Sequence, residues 1–529
     1  MYELTRRKVM TTTAIATLGA GTKGTVGELT ETAEDAAKLD TNETDVSAPS
    51  GVQTGDVVND RAIIWSRADR PARMFVEVST DEDFEEVRTI RGPAALEVTD
   101  YAATLDLRGL PRGERIHYRV IFEDLRNPGA RSDPVEGSFA TPPTHSRDIR
   151  FVWGGDVAGQ GWGINPEFGG MKTFETMREV EPDFFIHSGD AVYADGPIPP
   201  EIDLEDGGVW ENATTEAKAE VADTLEEFRG NYRYNLLDEH YRQFTAMVPM
   251  IAQWDDHEVL NNWYPNEQLP AEDPHDVKSV DLLAARGQRA FMDYMPVRAQ
   301  VDAWDELYDN FPYGPSLEIF RLDLRSYRGP NRVNDGEPTE RGPKTAILGE
   351  KQLDWLKQAL KDSEATWKII ASDMPIGLVI PDEETTFEGI ANSESSVRDR
   401  ELEIAELLRF IDGHGIDNVV WFTADVHYTA AHHYDPDQAQ FQEFTPFWEF
   451  VSGPLHAGTF GPSELDDTFG PEVVYQKTPD EGESNLPPSD GLQFFGQVDI
   501  DGDSENMTVT LKDLDGTALY EKELKPGGD

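Results

Sequence analysis

Six short apolar runs of this chain each end at an aspartate, and this repeated ending limits the folds that the chain can adopt. The aspartates that follow the runs are Asp156, Asp190, Asp255 with Asp256, Asp323, Asp373 and Asp425. Helical patterns separate several runs, for example over residues 348–360 and 398–411, and this alternation predicts βαβ units and an α/β sheet covered by helices. Ligands bind beyond the carboxyl ends of the strands in such sheets. We therefore expect several of these carboxylates to lie in one crevice.

A crevice lined with so many carboxylates needs cations, because like charges a few ångströms apart raise each other's pKa. Multivalent metal ions resolve this conflict, so the pattern predicts a metal site. For a single aspartate the competing interpretation is an N-cap or turn residue, and Asp373 taken alone fits that role. The chain has no cysteine, which excludes disulfides, thiol catalysis and cysteine-bound zinc or iron–sulfur sites.

Three short strings hold the candidate metal ligands. They are Gly189-Asp190-Ala-Val-Tyr193, Trp254-Asp-Asp-His-Glu258 with Asn261 and Asn262, and Asp425-Val-His427. Asp190 is placed to bridge two cations, and Tyr193 offers a phenolate, which selects a highly charged ion such as Fe³⁺. A packed aromatic side chain is the alternative for Tyr193. Asp425 and His427 would share one face if the strand continues, so both could bind one ion.

Two further segments are candidates for binding a substrate. Arg325, close beyond the strand that ends at Asp323, offers a guanidinium that could hold two phosphoryl oxygens. A structural salt bridge to one of the many carboxylates explains it equally well. The glycine-rich stretch over residues 159–165 permits close backbone approach to a ligand, and Trp162 and Asn165 are candidate substrate contacts. A tight structural turn is the alternative for this stretch.

The residues before the first apolar run that ends at an aspartate follow a different pattern. From about residue 52 to about residue 141, short alternating strands separated by turns predict a small all-β domain of immunoglobulin or fibronectin type. We place this β-sandwich domain at residues 48–142 and the α/β domain at residues 143–529.

The first residues predict an export signal. Thr5-Arg-Arg-Lys8 followed by a short, weakly apolar stretch has the order of a twin-arginine signal over residues 1–21, with a chance Arg-Arg pair as the alternative. Residues 22–47 are acidic, threonine-rich and free of aromatics, which predicts a disordered linker. No apolar run approaches the roughly 20 residues that a membrane-spanning helix needs. The sequence therefore predicts an exported protein, extracellular or at the cell surface, without a transmembrane segment.

The charge balance predicts a salt-adapted, halophilic protein. The chain has 102 Asp and Glu against 46 Lys and Arg, a formal net charge of -56. At molar salt the Debye length falls to about 3 Å, which screens the self-repulsion of such a chain. An ordinary acidic protein is the alternative. The same charge disfavours nonspecific nucleic-acid binding, because the phosphate backbone is itself anionic.

Taken together, these strings resemble the alkaline phosphatase D (PhoD-like) family of metallophosphatases. The resemblance rests on the three ligand strings and on Asp323-x-Arg-Ser-Tyr-Arg328, in this order behind a β domain, and it covers about residue 48 to about residue 460. It implies a calcineurin-like metallophosphoesterase fold, a four-layer α/β/β/α sandwich with two packed sheets, where the residue patterns alone indicate one. It also implies hydrolysis of small phosphate esters with Fe³⁺ and Ca²⁺, or with Mn²⁺ or another divalent metal.

The resemblance also implies a ligand set. The ferric ion would be held by Asp156, Asp190, Tyr193 and Asp425, and one or two calcium ions by Asp190, Asp256, Asn261 and His427. One position departs from the family, whose first motif usually offers a cysteine where this chain has Asp156. This carboxylate still suits Fe³⁺, Ca²⁺ or Mn²⁺, although it replaces a soft ligand by a hard one and puts the usual iron site in doubt.

The expected mechanism is attack on phosphorus by a hydroxide formed at the metals. Arg325 would stabilise the phosphoryl oxygens, and His257 would protonate the leaving alkoxide. Three alternatives stay open at this point. They are a phosphodiesterase or phospholipase-type activity in the same site, a metal-free glycosidase with paired carboxylates, and a nonenzymatic calcium-binding surface protein. The sequence gives neither the natural substrate nor the oligomeric state.

Overall fold

Two large β-sheets form the centre of the protein. The computed structural model describes residues 45–205, 207–299, 306–333, 340–382, 386–391 and 396–527. The predicted twin-arginine signal lies outside these residues, and so does the predicted linker apart from residues 45–47. Within the described residues, 26 strands and six α-helices are formed.

The strands and helices are numbered here in chain order. The strands are β1 (Val52–Val58), β2 (Arg61–Arg67), β3 (Ala72–Ser79), β4 (Arg88–Ala95), β5 (Ala102–Arg108), β6 (Arg115–Asp124), β7 (Val135–Ala140), β8 (Ile149–Gly154), β9 (Phe184–Ser188), β10 (Glu201–Asp203), β11 (Val209–Glu211), β12 (Met250–Gln253), β13 (Asp309–Tyr313), β14 (Leu317–Arg321), β15 (Arg332–Val333), β16 (Trp367–Ala371), β17 (Leu378–Val379), β18 (Thr386–Phe387), β19 (Val419–Thr423), β20 (Thr429–Tyr434), β21 (Phe447–Val451), β22 (Glu464–Leu465), β23 (Pro471–Lys477), β24 (Phe494–Ile500), β25 (Met507–Asp513) and β26 (Ala518–Leu524). The helices are α1 (Lys172–Glu179), α2 (Leu225–Asn235), α3 (Glu239–Met247), α4 (Val280–Tyr294), α5 (Gly349–Asp362) and α6 (Glu401–His414).

The two large sheets pack face to face. One has nine strands in the order β26-β25-β24-β8-β9-β12-β1-β2-β5, and the other has seven in the order β13-β14-β16-β19-β21-β20-β23. Phe422 of β19 contacts Phe151 and Trp153 of β8 edge-on, with ring centroids 5.7 and 4.5 Å apart. The single sheet that the residue patterns indicated was wrong, whereas the two packed sheets implied by the family resemblance are present.

Helices cover the outer faces of both sheets. Phe174 of α1 and Phe291 of α4 belong to an apolar core on the nine-stranded sheet. Leu356 of α5 and Leu408 of α6 belong to a second core on the seven-stranded sheet. The central strands of both sheets are parallel, so their carboxyl ends lie along one edge of each sheet. No helix in the described ranges is long and apolar enough to cross a membrane.

The N-terminal strands form a second, smaller β structure. Strands β4-β3-β6-β7 make a four-stranded sheet, and its side chains share an apolar core with those of β1, β2 and β5. Strands β1, β2 and β5 also belong to the nine-stranded sheet, because β1 pairs in parallel with β12 at Gly55 and Met250. A side chain at Gly55 would collide with the carbonyl oxygens of Met250 and Pro296, so this close pairing requires glycine.

The residues after about 461, which the sequence patterns left unexplained, complete both sheets. Strand β23 pairs with β20 at one edge of the seven-stranded sheet. Strands β24, β25 and β26 extend the nine-stranded sheet beyond β8. Between them, Asn485 accepts a hydrogen bond from the Trp162 indole at 2.9 Å, so this segment also reaches the loop that follows β8.

Candidate metal centre and active site

Acidic side chains from four strand ends meet at one place. Asp156 follows β8, Asp190 follows β9, Asp255 and Asp256 follow β12, and Asp425 follows β19. In the described part of the chain, three groups of these side chains and neighbouring histidines have ligand atoms within 4.8 Å of one another. The first group is Asp156, Asp190 and His427, the second is Asp190, Asp256 and His257, and the third is Asp255, Asp256 and Asp425. The predicted convergence of carboxylates is therefore present.

Left-handed backbone conformations turn these side chains inward. Asp156, Asp190, Asp425 and His427 have φ angles of 68°, 51°, 66° and 59°. Few residue types other than glycine adopt this region, and aspartate and histidine are among those that do so more readily. Each such residue costs on the order of 1 kcal/mol or more, a strain that is typical of functional sites.

The first group has the donor chemistry of a metal site. Both carboxylate oxygens of Asp156 are buried, and neither accepts a hydrogen bond from the described residues. Burial and the neighbouring carboxylates raise the pKa of Asp156 and of Asp190 well above the ordinary value. Burial lowers the pKa of His427 to about 4, and the Tyr193 hydroxyl lies 2.8 Å from His427 Nε2. Orphaned carboxylates, a neutral imidazole and a phenol therefore fit a bound metal ion.

The second group shares Asp190 with the first, as the bridging prediction requires. His257 packs on the Tyr193 ring with centroids 4.2 Å apart. Burial alone would lower the pKa of His257, but the carboxylates of Asp195 and Asp256 outweigh it and raise that pKa to about 9. For Asp256, burial acts to raise the pKa, and the positive charges of His257 and Arg325 bring it below the ordinary value.

Asp195 is a functional candidate that the sequence analysis missed. Its Oδ1 lies 2.7 Å from His257 Nδ1, and its Oδ2 accepts the backbone amide of Asn261 at 2.7 Å. This pairing fixes the imidazole through Nδ1, and Nε2 has no hydrogen bond from the described residues. The signal was present in the sequence, because Asp195 stands two residues after Tyr193, but only the fold reveals its partner.

Glu258, the last residue of the Trp254-Asp-Asp-His-Glu258 string, joins two of the loops. Its side chain is buried, and its two oxygens accept the backbone amides of Ala191 at 2.6 Å and Asp255 at 2.7 Å. It therefore ties the residue after Asp190 to the residue before Asp256, which positions both carboxylates.

Arg325 lies inside the cluster rather than at its opening. Its side chain is 0% exposed, its Nε donates to Asp255 at 2.5 Å, and its Nη1 donates to Glu388 at 2.9 Å. Asp373 lies 3.8 Å from the same Nε. Asp323, which follows β14, accepts the backbone amide of Arg325 at 3.1 Å and so acts as a turn residue. The salt-bridge alternative for Arg325 is present, and its contact with a phosphoryl group stays a prediction.

Three other predicted residues lie around the cluster without a ligand-like contact in the described structure. Trp162 is 4% exposed, and its indole is bonded to Asn485 as described above. The Asn165 side chain accepts the backbone amides of Glu167 and Phe168, the geometry of a tight turn. Asn261 is exposed, and its contact with the site is the backbone bond to Asp195. Substrate or metal contacts of their side chains stay predictions.

Stacked sheets with carboxylates and imidazoles at their strand ends are consistent with a metal-dependent hydrolase. Comparison with known proteins then gives the family. The family model for PhoD-like phosphatase matches residues 151–511, and the model for the PhoD-like phosphatase N-terminal domain matches residues 32–143. The chain therefore belongs to the PhoD-like phosphatase family and is a phosphoric ester hydrolase. This confirms the resemblance inferred from the motifs, and it does not favour the glycosidase or the nonenzymatic calcium-binding protein.

Individual relatives agree with this assignment. Alkaline phosphatase D of Bacillus subtilis (strain 168) is 27% identical over 443 residues, which cover 79% of this chain and 71% of the relative. The solved structure of PhoD has a TM-score of 0.66 at 19% identity and covers 90% of both chains. A purple acid phosphatase from yellow lupin (Lupinus luteus) has a TM-score of 0.54 at 12% identity, over 90% of this chain and 73% of the other. At these identities the two structures support the fold alone.

Proposed function

We propose that this protein hydrolyses small phosphate monoesters at two neighbouring metal ions, one held by the first group and one by Asp190 and Asp256 of the second. The observation that carries the proposal is Asp190, whose carboxylate belongs to both groups and so can bridge two ions. The bound ions would supply a low pKa for an attacking water and positive charge for the phosphoryl oxygens. We assign Fe³⁺ to the first group, beside Tyr193, and Ca²⁺ to the second group. Mn²⁺ is the alternative metal.

The side chains of the cluster have separate tasks in this proposal. Asp156, Asp190 and His427 hold the first ion with Tyr193, while Asp190 and Asp256 hold the second. His257 donates a proton to the leaving oxygen from Nε2, because Asp195 engages Nδ1. Glu258 keeps the Asp190 and Asp256 loops at a fixed separation through its two backbone contacts. The substrate would enter beside His257, whose side chain is 13% exposed.

We also propose a fold type for each of the two domains. Two packed sheets with helices on both outer faces support a calcineurin-like α/β/β/α sandwich. The seven N-terminal strands support an immunoglobulin- or fibronectin-like domain, with one of its sheets continuous with the catalytic domain. Domain bounds at residues 48–142 and 143–529 stay predictions.

Turnover of nitrophenyl phosphate and of bis(nitrophenyl) phosphate in molar salt tests the function directly. We expect faster release from the monoester, loss of turnover after chelation, and recovery when Fe³⁺ with Ca²⁺, or Mn²⁺, is restored. Faster turnover of the diester would assign a phosphodiesterase instead. Turnover that is indifferent to chelation would contradict the metal site, and a colourless, active, metal-replete protein would contradict Fe³⁺ bound to Tyr193.

We further propose export through the twin-arginine route and adaptation to high salt. The support is the Arg6-Arg7 pair before a short apolar stretch, and the formal net charge of -56. Replacing both arginines by lysine should retain the protein inside the cell that makes it. Dialysis to low salt should reduce its circular dichroism signal, because unscreened like charges repel.

A further inference from the structure

The imidazole of His427 is oriented by a backbone carbonyl. Its Nδ1 lies 2.5 Å from the carbonyl oxygen of Gly458 and donates a hydrogen bond to it. Its Nε2 faces the first group, 3.6 Å from Asp156 Oδ1. A histidine that binds a metal through one ring nitrogen commonly donates the other N–H to such a carbonyl, which fixes the tautomer and the ring. The position of Gly458 therefore decides how His427 faces the first group.

The loop over residues 456–460, between β21 and β22, contacts two residues of the first group. The His456 backbone amide donates to the Asp156 carbonyl at 3.0 Å, and the Phe460 backbone amide donates to the His427 carbonyl at 3.3 Å. A shift of this loop would thus be felt at both residues, in addition to the carbonyl that holds the His427 ring.

Asn485, from the segment between β23 and β24, packs directly on this loop. Its backbone amide donates to the Thr459 carbonyl at 2.8 Å, and its Oδ1 accepts the Trp162 indole at 2.9 Å. A side chain at Gly458 would collide with Asn485 Oδ1, so this close approach requires glycine. The Asn485 backbone is left-handed, with φ 54°, a region that asparagine adopts more readily than most residues.

A separate contact anchors the same loop at Ala457. The buried Gln493 side chain accepts the Ala457 backbone amide and donates to the Ala457 carbonyl, both at 3.0 Å. Since this anchor does not involve Asn485, we expect the loop to stay folded when Asn485 is replaced.

From these contacts we infer that Asn485 is a positioning residue for His427, acting through Gly458, and that the Trp162 indole fixes the Asn485 side chain. The inference rests on the proposed function, in which His427 holds the first ion, and deepens it. It gives Trp162 a task other than the substrate contact expected from the sequence. It also gives the segment after about residue 461 a task at the active site.

Titration of the metal-free, full-length protein with Mn²⁺ in molar salt tests the inference. Calorimetry measures the affinity, and His427→Ala shows which binding step belongs to the first group. We expect Asn485→Ala to weaken that step by about 10- to 100-fold, the usual effect of losing a contact behind a ligating histidine. Asn485→Asp keeps the Oδ1 acceptor, so its affinity should stay close to that of the wild type.

Asn59→Ala is the matched control. Asn59 is also exposed and left-handed, with φ 47°, and its Oδ1 accepts a hydrogen bond from Arg112 at 2.9 Å. It lies in the turn between β1 and β2. Its replacement should leave the Mn²⁺ affinity unchanged, which shows that alanine in a left-handed backbone does not by itself weaken binding.

Trp162→Phe is the second variant. It removes the indole donor and keeps an aromatic ring, so we expect weaker Mn²⁺ binding at the same step. At saturating Mn²⁺ its KM for nitrophenyl phosphate should equal that of the wild type. A raised KM with unchanged Mn²⁺ affinity would make Trp162 a substrate contact and would overturn the inference.

The remaining outcomes separate this inference from the proposed function. A folded Asn485→Ala variant that binds Mn²⁺ as tightly as the wild type would overturn the inference and leave the proposed function in place. If Asn485→Ala does not fold, the Mn²⁺ affinity of Trp162→Phe decides the matter. A wild type that turns over substrate without binding metal would overturn the proposed function, and the inference with it.

Discussion

Two clusters of buried aspartates, both within the described residues, differ in how their charge is balanced. We call Asp156, Asp190, Asp255, Asp256 and Asp425 the strand-end cluster. We call Asp100, Asp293 and their arginines Arg67, Arg229 and Arg233 the arginine-paired cluster. The second lies where the turn before β5 meets helices α2 and α4.

The pKa of Asp100 moves in the opposite direction to the pKa of Asp156 and of Asp190. Burial acts to raise the pKa of Asp100, but hydrogen bonds from Arg67 and Tyr294 outweigh it and bring that pKa below the ordinary value. Asp293 is held by Arg229 through Nε and Nη2 at 3.0 and 2.5 Å. Asp156 and Asp190 have no such partner among the described residues, and their pKa is raised. Arginines thus neutralise the buried carboxylates of Asp100 and Asp293, whereas Asp156 and Asp190, without such a partner in the described ranges, remain available to a bound cation.

The largest expected effect is that of Asp190→Ala. Removing the carboxylate shared by two groups should lower both metal content and turnover of nitrophenyl phosphate, the latter by at least about 1,000-fold. Metal analysis and steady-state kinetics measure the two losses together. Asp106→Ala, at a half-buried aspartate bonded to Arg61, should change neither. Full turnover in Asp190→Ala would show that the strand-end cluster is not the active site.

The second-largest expected effect on activity is that of His257→Ala. A proton donor matters most for poor leaving groups, so the variant should retain most activity on nitrophenyl phosphate and lose about 10²- to 10⁴-fold on alkyl phosphates. Rates on the two substrate classes, measured at equal metal loading, give this ratio. An equal loss on both classes would remove the proton-donor role and leave His257 as a metal ligand or a packing residue.

Asp100→Asn tests the arginine-paired cluster. The change leaves Arg67 and Arg233 without their buried carboxylate, which should lower the free energy of unfolding by about 3–5 kcal/mol without changing metal content. Denaturant unfolding in molar salt measures the loss. Asp69→Asn is the control, because Asp69 is exposed and pairs with Arg70, so its loss should be below about 1 kcal/mol. Loss of metal in Asp100→Asn would mean that the two clusters are not independent.

The smallest effect is a pH dependence that differs between metal-free and metal-replete protein. The folded-state pKa of Asp156, Asp190 and Glu258 is raised, the last to about 8, so their stabilising contribution is full below the unfolded pKa of about 4. For Glu258 this contribution is lost as the pH rises towards about 8. Asp100, with a lowered pKa, contributes above about pH 4 and loses its contribution only in acid. Melting temperatures between pH 4 and 9 should therefore fall with pH in the metal-free protein more than with metal bound. Melting temperatures that fall equally with pH in the two forms would contradict this prediction.

Much of the site could be predicted from the sequence because strand ends have a local signature. An apolar run followed by aspartate marks the carboxyl end of a strand, and parallel strands place such ends together. The helices predicted over 348–360 and 398–411 are α5 and α6, which begin within a few residues of the expected positions. The same signature could not separate Asp323, a turn residue, from Asp190, because the difference lies in which side chains approach each strand end.

Contacts between distant segments were not predictable. Asp195 and Glu258 work through backbone amides and a histidine of other loops, and no periodic pattern records such pairs. For Arg325 the sequence left a phosphoryl contact and a structural salt bridge equally open. The structure shows the salt bridges with Asp255 and Glu388, which come from segments distant in the chain. The division of the strands between two sheets depends on long-range pairing, which an alternating pattern does not encode.

The pairing of Gly55 with Met250 has a consequence for the order of folding. The ribosome releases β1 long before β12, so the nine-stranded sheet cannot join its N-terminal three strands to the rest until most of the first half of the chain has been made. Contacts between such distant segments form slowly, because a long loop must close first. The N-terminal strands β1, β2 and β5 can therefore join the sheet only after β12, the strand that leads into Asp255 and Asp256, has been made.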